Sequence, residues 1–378
     1  IRDSTYGYRD HRTDGMDAEV AKILPETELY GKTGIQKQIF NTVYQLMAVK
    51  QQTPELLQQA KTLLMLPDYF GFRLTGNKLS EYTNGSTTQL VNPDTFQWDK
   101  ELIRKLGYPE DIFLPLQMPG TKVGQLLPEI QKEVGFDLEV VLCGSHDTAS
   151  AVMAVPQTEG DGIYISSGTW SLMGIESLKP VITEDAAAAN FTNEGGYDHR
   201  FRFLKNIMGL WMIQSVRHEY NDAYSFAQLC NMAEESKEFP SRVDVNDQSF
   251  LSPDSMVEAI RQYCHKTGQP VPESVGELTS VVYRSLAQSY GETVRGLEKI
   301  AGKTYDSIHI IGGGSNAAYL NQLTADATGK TVYAGPGEAT AIGNLLAQMI
   351  HAGDLADLKS ARKCVRESFE IKTFAPAK

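Results

Sequence analysis

The aspartate at position 147 combines a proton-accepting side chain with a position where a strand is expected to give way to a helix. Residues 140–143 (VVLC) predict a short buried strand, and residues 148–155 (TASAVMAV) predict a closely packed helix. In open α/β sheets ligands lie beyond the carboxyl ends of strands, so Asp147 is expected to face a cleft and could take a proton from a hydroxyl. The alternative is that Asp147 only caps the helix, because aspartate is a favoured capping residue. A lone histidine such as His146 is more often a hydrogen-bonded core or loop residue than a functional one.

Residues 162–175 predict a β-hairpin whose turn could approach a phosphate. The strand GIYI (162–165) is followed by the turn SSGT (166–169) and the return strand WSLMGI (170–175). A turn of glycine and small hydroxyl residues lets backbone amides approach an anion, and the Thr169 hydroxyl can donate a hydrogen bond. On composition alone, an ordinary hairpin turn explains the same residues.

A triple glycine lies between another predicted strand (307–311) and a predicted helix (316–328). Glycines at a strand-to-helix turn allow a nucleotide to lie against the backbone. The spacing also fits the loose dinucleotide pattern G-x-G-x-x-A, but that pattern needs an acidic residue about 20 positions further on. The next predicted strand ends in VYAG without an acid, which disfavours a nicotinamide enzyme. A Walker-type ATPase is excluded because the sequence contains no GxxxxGK[ST].

The helices and strands predicted around these residues indicate two domains. Residues 15–70 predict helices, one of which begins at Pro54. An i, i+4 ladder of apolar residues over 278–297 predicts one long amphipathic helix, and the last hundred residues alternate strands with helices, as in α/β architecture. Proline and glycine punctuation after the helix that follows Asp147 places a boundary near residue 156, giving domains 1–156 and 157–378.

The composition excludes several functional classes. A chain of 378 residues is too long for a single hydrophobic core, and a formal charge of −12 argues against nucleic acid or an anionic membrane as a partner. The four cysteines are scattered singly, so neither a zinc site nor another metal site is predicted, and reduced thiols suit a cytoplasmic protein. No apolar run is long enough to span a bilayer, and the first residues are not a signal peptide.

Taken in order, these segments resemble the FGGY carbohydrate kinases, within the actin-like ATPase superfamily. The resemblance extends from Tyr8 to about Phe374. It is carried by SHDTASAV (145–152), SSGTWSLMG (166–174), NEGG (193–196), LKNIMGLW (204–211), MLPDYF (65–70), EYTN (81–84) and TTQL (87–90).

The resemblance implies a two-lobed, ribonuclease H-like α/β fold with a sugar-binding N-terminal lobe and an ATP-binding C-terminal lobe. It implies that Asp147 is the catalytic base. The residues that match sugar contacts are His146, Thr148 and Asn206. The residues that match nucleotide contacts are Thr169, Gln214 and Gly313. The implied substrates are ATP, with Mg²⁺, and a ketose, L-rhamnulose, which would be phosphorylated at its 1-hydroxyl.

One part of the family pattern is missing. Members begin with a strand that carries D-x-G-x-[ST]-x-x-R, and this sequence contains no such segment. The first part of the N-terminal lobe is therefore expected to be absent, with some sugar contacts, and the chain as given is expected to catalyse poorly. Two alternatives stay open: a kinase for another ketose, such as fuculose or xylulose, and a non-catalytic sugar-binding protein of the same fold. The sequence leaves the oligomeric state undetermined.

Overall fold

The computed structural model describes residue 7, residues 10–158 and residues 161–377. Tyr8, where the family resemblance begins, and Gly160, part of the predicted break between domains, lie outside the described residues. The helices are α1 (Met16–Ala21), α2 (Glu26–Thr33), α3 (Thr42–Gln52), α4 (Pro54–Gln59), α5 (Leu66–Thr75), α6 (Tyr82–Ser86), α7 (Lys100–Lys105), α8 (Pro128–Val134), α9 (Asp147–Met153), α10 (Glu184–Ala188), α11 (Trp211–Glu219), α12 (Phe226–Glu235), α13 (Met256–Lys266), α14 (Val275–Ala301), α15 (Ala318–Thr328), α16 (Ala339–Ala352) and α17 (Leu358–Ser368). Short 3₁₀ turns occur at Glu110–Ile112, Gln248–Phe250 and Gly313–Asn316.

The strands are short in the first part of the chain and longer in the second. They are β1 (Ser80–Glu81), β2 (Val91–Asn92), β3 (Gln97–Trp98), β4 (Leu116–Gln117), β5 (Lys122–Gln125), β6 (Glu139–Val141), β7 (Ile163–Ser167), β8 (Trp170–Ser177), β9 (Thr192–Gly195), β10 (Phe201–Met208), β11 (Ser307–Ile311), β12 (Thr331–Ala334) and β13 (Lys372–Phe374). The mixture of helices and strands confirms the predicted α/β class.

The chain divides into two compact units, and each contains more than one stretch of sequence. The first unit takes in the chain up to Ser150 together with Glu176–Phe203 and Asn344–Leu355. The second unit takes in Ala151–Ile175, Leu204–Gly343 and the chain from Ala356 onward. The predicted domains 1–156 and 157–378 were drawn as two continuous stretches, whereas the compact units exchange segments.

The first unit is built mainly from helices around one apolar core. Val20 and Leu24 near α1, Val43 of α3 and Leu90 are almost completely buried in it. The helices predicted over residues 15–70 are confirmed as α1 to α5, and Pro54 is the first residue of α4. Proline suits this position because the first amide of a helix has no intrahelical acceptor.

The strand before Asp147 is present, but the sheet expected around it is not. β6 pairs only with β5, antiparallel, in a two-stranded ladder within the described residues. The expectation that Asp147 follows a strand of an open parallel sheet was therefore wrong for this chain. After β6 ends at Val141, the backbone of Leu142 still bonds to residues of the β5 side: its N–H donates to Thr121 O and its C=O accepts from Gly120 N.

A mixed sheet organises the second unit. Its strands lie in the order β13-β12-β11-β7-β8-β10, and β10 begins in the first unit, where β9 is its neighbour. β11 runs parallel to both β7 and β12, while β7 and β8 form the predicted antiparallel hairpin. The predicted strand 307–311 is confirmed in full.

The longest helix, α14, confirms the apolar ladder seen in the sequence. The ladder positions Leu278, Val282, Leu286, Tyr290, Val294 and Leu297 are each at most 2% exposed. The helix begins with a capping box, in which Ser274 and Glu277 satisfy each other's backbone amides. It packs against α12 and α15. Within the described residues, none of the helices combines the length and apolarity that crossing a membrane requires.

Candidate functional site

The loop that carries Ser145 and His146 is fastened to a buried carboxylate, Glu81. The Ser145 amide and hydroxyl both donate to Glu81 Oε2, at 3.1 and 2.6 Å. Glu81 also accepts from the amide and hydroxyl of Thr83 and from the amide of Asn84. The Thr83 hydroxyl oxygen in turn accepts from the His146 amide at 3.3 Å. Because five donors converge on one carboxylate, this loop is held in a defined position.

A second acidic side chain lies beside Glu81. Asp68 accepts the Glu81 amide through Oδ1 at 3.2 Å, and its Oδ2 has no hydrogen-bond partner in the described part of the chain. Burial, and then the charge of Glu81, raise the pKa of Asp68 to about 7. Burial also raises the pKa of Glu81, although its hydrogen bonds act in the opposite direction. The two acids therefore form an interior network behind the loop.

Asp147 itself presents its carboxylate to the surface of the first unit. About 77% of its side chain is exposed, and it is the first residue of α9. Its Oδ1 accepts from the amide of Thr148 at 2.6 Å and from the Thr148 hydroxyl at 3.2 Å. The carboxylate thus has the local contacts of a helix start, and it is also accessible to a ligand.

His146 contacts two charged side chains that the sequence reading did not assign. Its Nδ1 lies 2.8 Å from Arg202 Nη2 and 3.3 Å from Glu194 Oε2. Its Nε2 lies 3.8 Å from Asp147 Oδ1. Burial is the main cause that lowers the pKa of His146, and the Arg202 charge adds to it, while Glu194 and Asp147 oppose it. The ring is therefore favoured in its neutral form.

The three residues that match sugar contacts do not all lie in the same unit. His146 and Thr148 belong to the first unit, and Asn206 belongs to the second, on β10. Thr148 is only 3% exposed and directs its hydroxyl to Asp147. Asn206 Oδ1 is a buried acceptor with no hydrogen-bond partner among the described residues, so a ligand donor could satisfy it.

The hairpin turn of the second unit is shorter than predicted. β7 continues through Ser167, which leaves Gly168 and Thr169 as the turn. Leu210 N donates to Gly168 O, and Trp211 N donates to Thr169 O at 3.1 Å, so the turn is fixed to the start of α11. Thr169 is exposed at this turn, and Gln214 is half-buried on α11.

The triple glycine packs directly against the same hairpin. A Cβ on Gly312 would lie 2.9 Å from Ser167 O, and one on Gly314 would lie within 2.5 Å of the Ser167 side chain. Gly312 also has φ +83, which glycine tolerates. Gly313 is exposed, and a Cβ there would meet nothing within 4 Å. The two predicted nucleotide segments are therefore neighbours within the second unit, and Gly313 faces open space.

The helix after the glycines begins later than predicted. Residues Gly313–Asn316 form a 3₁₀ turn, and α15 begins only at Ala318. The turn closes because the Ser315 amide donates to Gly312 O and the Ala317 amide donates to Gly314 O.

Sequence reasoning missed the charged residues behind the loop. Glu81 and Glu194 lie inside segments quoted for the family resemblance, EYTN and NEGG, but neither was given a role. Arg202 stood in no motif. The signal that singles them out is burial: charged side chains are seldom fully buried unless they are paired, and Glu81 and Arg202 are both 0% exposed. Burial is known only from the folded structure.

The described residues offer no metal centre of their own. No group of three or more histidine, cysteine, aspartate or glutamate side chains among them could hold a metal ion.

Two domain families match nearly the whole chain. The N-terminal domain of the FGGY family of carbohydrate kinases matches residues 5–154, and its C-terminal domain matches residues 163–352. The chain is 52% identical over 370 residues to the rhamnulokinase of Halalkalibacterium halodurans, covering 98% of this chain and 79% of that protein. It is 46% identical over 372 residues to the rhamnulokinase of Bacillus subtilis, covering 98% of this chain and 76% of that protein.

Solved structures give the same fold at much lower identity. A ligand-bound xylulose kinase from Lactobacillus acidophilus aligns with a TM-score of 0.76 at 16% identity, covering 98% of this chain and 74% of that one. A Plasmodium falciparum glycerol kinase with ADP aligns with a TM-score of 0.75 at 15% identity, again over 98% and 74%. The two-domain, actin-like architecture expected from the sequence is thereby confirmed. By its two matched domains and its close relatives, the chain belongs to the FGGY family of carbohydrate kinases.

Proposed function

We propose that this protein transfers the γ-phosphate of ATP to the 1-hydroxyl of L-rhamnulose and releases L-rhamnulose 1-phosphate and ADP. Membership of the family and identities of 40–52% to proteins named rhamnulokinase support an ATP-dependent sugar kinase of this specificity. The observation in the structure that carries the proposal is the exposed carboxylate of Asp147, next to a loop that Glu81 holds in place.

In the proposed reaction Asp147 is the general base. A sugar hydroxyl is a weak nucleophile at neutral pH, and a carboxylate within about 3 Å can take its proton as the new O–P bond forms. The bond between the γ-phosphorus and the bridging oxygen breaks in the same step, and ADP leaves with that oxygen. His146, Thr148 and Asn206 would hold the ketose. Of these, Asn206 supports the assignment with a buried acceptor oxygen that lacks a partner in the described chain.

The nucleotide is proposed to bind the second unit at the hairpin and the glycine turn. Thr169 would donate its hydroxyl to a phosphate oxygen, and Gln214 would contact the nucleotide from α11. Gly313 supports this assignment because it is exposed and has no neighbour that a ligand would have to displace. Mg²⁺ would arrive with the ATP phosphates and would offset part of their negative charge.

The proposed place of action is the cytoplasm, where ATP is available. All four cysteines are free, which suits a reducing compartment. The proposed partners are a ketose and ATP, and the charge of −12 disfavours nucleic acid and anionic membranes.

A substrate panel tests the proposal. ADP release is followed with ATP and, in parallel, L-rhamnulose, L-fuculose or D-xylulose. We expect kcat/KM to be at least about tenfold higher for L-rhamnulose, because a site that bonds particular hydroxyls discriminates against analogues that misplace them. A preference for another ketose would reassign the substrate. Calorimetric sugar binding without any sugar-dependent ADP release would instead indicate a non-catalytic sugar-binding protein.

A further inference from the structure

Arg202 is a completely buried arginine that contacts Gly195, Glu194 and His146. It is 0% exposed, and it lies near the start of β10. Its Nε donates to Gly195 O at 3.0 Å, and its Nη2 lies 3.2 Å from Glu194 Oε2. The same Nη2 lies 2.8 Å from His146 Nδ1. A buried guanidinium is costly unless it is paired, so these contacts define its orientation.

The contact between Arg202 and His146 determines which ring nitrogen carries the proton. A guanidinium has five N–H donors and no acceptor, and it stays protonated in proteins. The nitrogen that faces it at hydrogen-bond distance must therefore offer a lone pair. In a neutral imidazole one nitrogen accepts and the other donates, so acceptance at Nδ1 places the proton on Nε2.

We propose that the Arg202–Glu194 pair acts as a positioning device that holds His146 as the neutral Nε2–H tautomer, with Nε2–H directed toward the sugar side of Asp147. The device works through His146, so neither Arg202 nor Glu194 is a catalytic residue. The part that concerns a ketose rests on the proposed function. The part that concerns the tautomer does not.

The charges around the ring are consistent with this assignment. Among the described residues, three charged side chains face His146: Arg202 and Glu194 at Nδ1, and Asp147 at Nε2. Glu194 Oε2, at 3.3 Å, would favour a proton on Nδ1, but the arginine is closer at 2.8 Å and cannot accept one. Glu194 instead balances the buried guanidinium. At 3.8 Å the Nε2 is beyond hydrogen-bond distance from Asp147 Oδ1, which leaves Nε2–H for a ligand oxygen.

The tautomer has a chemical consequence for the site. A fixed Nε2–H donates to an oxygen lone pair, so His146 would select a ligand that places a hydroxyl, carbonyl or ring oxygen there. Keeping the ring neutral also matters for Asp147, because a charged imidazolium beside a carboxylate lowers its basicity. Burial and the Arg202 charge both lower the pKa of His146, which favours the neutral ring.

The tautomer can be read directly by ¹⁵N NMR of the histidine rings at pH 7.5 without substrate. The His146→Gln variant identifies the His146 signals, because they vanish from its spectrum. We expect a pyridine-type shift for Nδ1 and a pyrrole-type shift for Nε2. A pyrrole-type Nδ1, or two protonated nitrogens, would overturn the proposal. This measurement involves no substrate, so its result does not depend on whether the kinase assignment is correct.

Variants test whether Arg202 causes the tautomer. In Arg202→Met we expect the His146 proton to move to Nδ1, toward Glu194, and KM for the sugar to rise about tenfold, equivalent to losing one hydrogen bond. KM for ATP should stay within about twofold of the original value. Arg261→Met is the matched control, because Arg261 also donates Nε to a backbone carbonyl but lies on α13 of the second unit, whereas His146 belongs to the first. An unchanged His146 tautomer in Arg202→Met would refute the causal role.

A second substitution keeps the test decisive if Arg202→Met does not fold. Glutamine at 146 can accept from Arg202 with its oxygen and donate to the ligand with its nitrogen, as the Nε2–H tautomer does. We therefore expect His146→Gln to bind the sugar about tenfold more tightly than His146→Leu. Equal sugar affinity of these two variants would contradict the donor role of His146.

Discussion

At the scale of single residues, Asp147 fits two descriptions at once. It is the first residue of α9, where a carboxylate suits the positive end of the helix dipole, and it accepts the amide of the next residue, Thr148. It also exposes 77% of its side chain beside the buried network of Glu81. The geometry alone is compatible with both roles, but they respond differently to one substitution.

Replacing Asp147 with asparagine separates capping from catalysis. The asparagine side-chain oxygen can accept the same Thr148 hydrogen bonds but is a far weaker base, so we expect nearly unchanged stability and a fall in kcat of about 10²-fold or more. Sugar binding should persist. The measurement is steady-state ADP release together with thermal unfolding. Asp357→Asn, at the N-cap of α17, is the control and should leave both unchanged. Near-normal turnover of Asp147→Asn would remove Asp147 from the role of base.

At the scale of elements, the hairpin β7–β8 and the glycine turn after β11 depend on each other. Gly314 lies so close to Ser167 that any side chain would collide with it, whereas Gly313 faces open space. One glycine therefore serves packing, and its neighbour is available to a ligand.

Two substitutions distinguish these glycines. Gly314→Ala should destabilise the protein by about 1–3 kcal/mol, as overpacking does, measured by urea unfolding. Gly313→Leu should leave stability nearly unchanged but raise KM for ATP by about tenfold or more, since a side chain would occupy the proposed phosphate position. KM for the sugar is the internal control. Equal rises in both KM values for Gly313→Leu would indicate a structural hinge instead.

β11 also contains a buried histidine that links stability to pH. His309 is 4% exposed, stacks on Tyr333 of β12 and has no partner at Nδ1 among the described residues. Burial, followed by the charges of Arg362 and Arg366, lowers the pKa of His309 to about 4. In the unfolded chain the pKa of a histidine is about 6.5. Between about pH 4 and pH 6.5 the unfolded state therefore binds more protons than the folded state. The contribution of neutral His309 to the free energy of unfolding is therefore fully present above about pH 6.5 and is lost as the pH falls toward 4.

The size of this effect can be measured in one comparison. Between pH 8 and pH 5 we expect His309 to account for about 2 kcal/mol of lost stability, from the difference between the folded and unfolded pKa. In urea unfolding, His309→Phe should not show this pH-dependent loss of stability, whereas the exposed control His265→Gln should still show it. The contribution of Asp68 has the opposite sign. Because burial raises the pKa of Asp68, ionising this buried carboxyl lowers the stability of the folded state as the pH rises. The same pH dependence in His309→Phe as in the original protein would contradict the assignment.

At the scale of the whole molecule, two compact units share one chain. The first has an apolar core among α1, α3 and α7, and the second is organised by its mixed sheet and α14. Each has the interior that an independently cooperative unit needs.

Calorimetry should therefore show two unfolding transitions. A non-hydrolysable ATP analogue at 100 times its Kd should stabilise one of them by about 2.7 kcal/mol. His309 and the proposed nucleotide residues lie in the same unit. The transition that the ATP analogue stabilises should therefore be the same one that becomes less sensitive to low pH in His309→Phe. A nucleotide shift confined to the other transition would contradict the placement of the nucleotide site.

Patterns in the amino-acid sequence were enough to predict the local secondary structure and the family. The hairpin, strand 307–311, the glycine turn and the apolar ladder of α14 follow from patterns a few residues long, which side-chain periodicity and turn chemistry control. The same short motifs pointed to Asp147 and to Gly313, where each motif is contiguous in the chain.

The surroundings of these residues, by contrast, are seen only in the folded protein. Glu81 is 64 positions from Ser145, and Arg202 is 56 positions from His146, so no local pattern could predict that they would meet. The pairing of β6 with β5 alone, and the exchange of segments between the units, likewise depend on the path of the whole chain. Burial fixes the orientation of Glu81 and Arg202, because a charge removed from water must be paired and its partners then define its geometry.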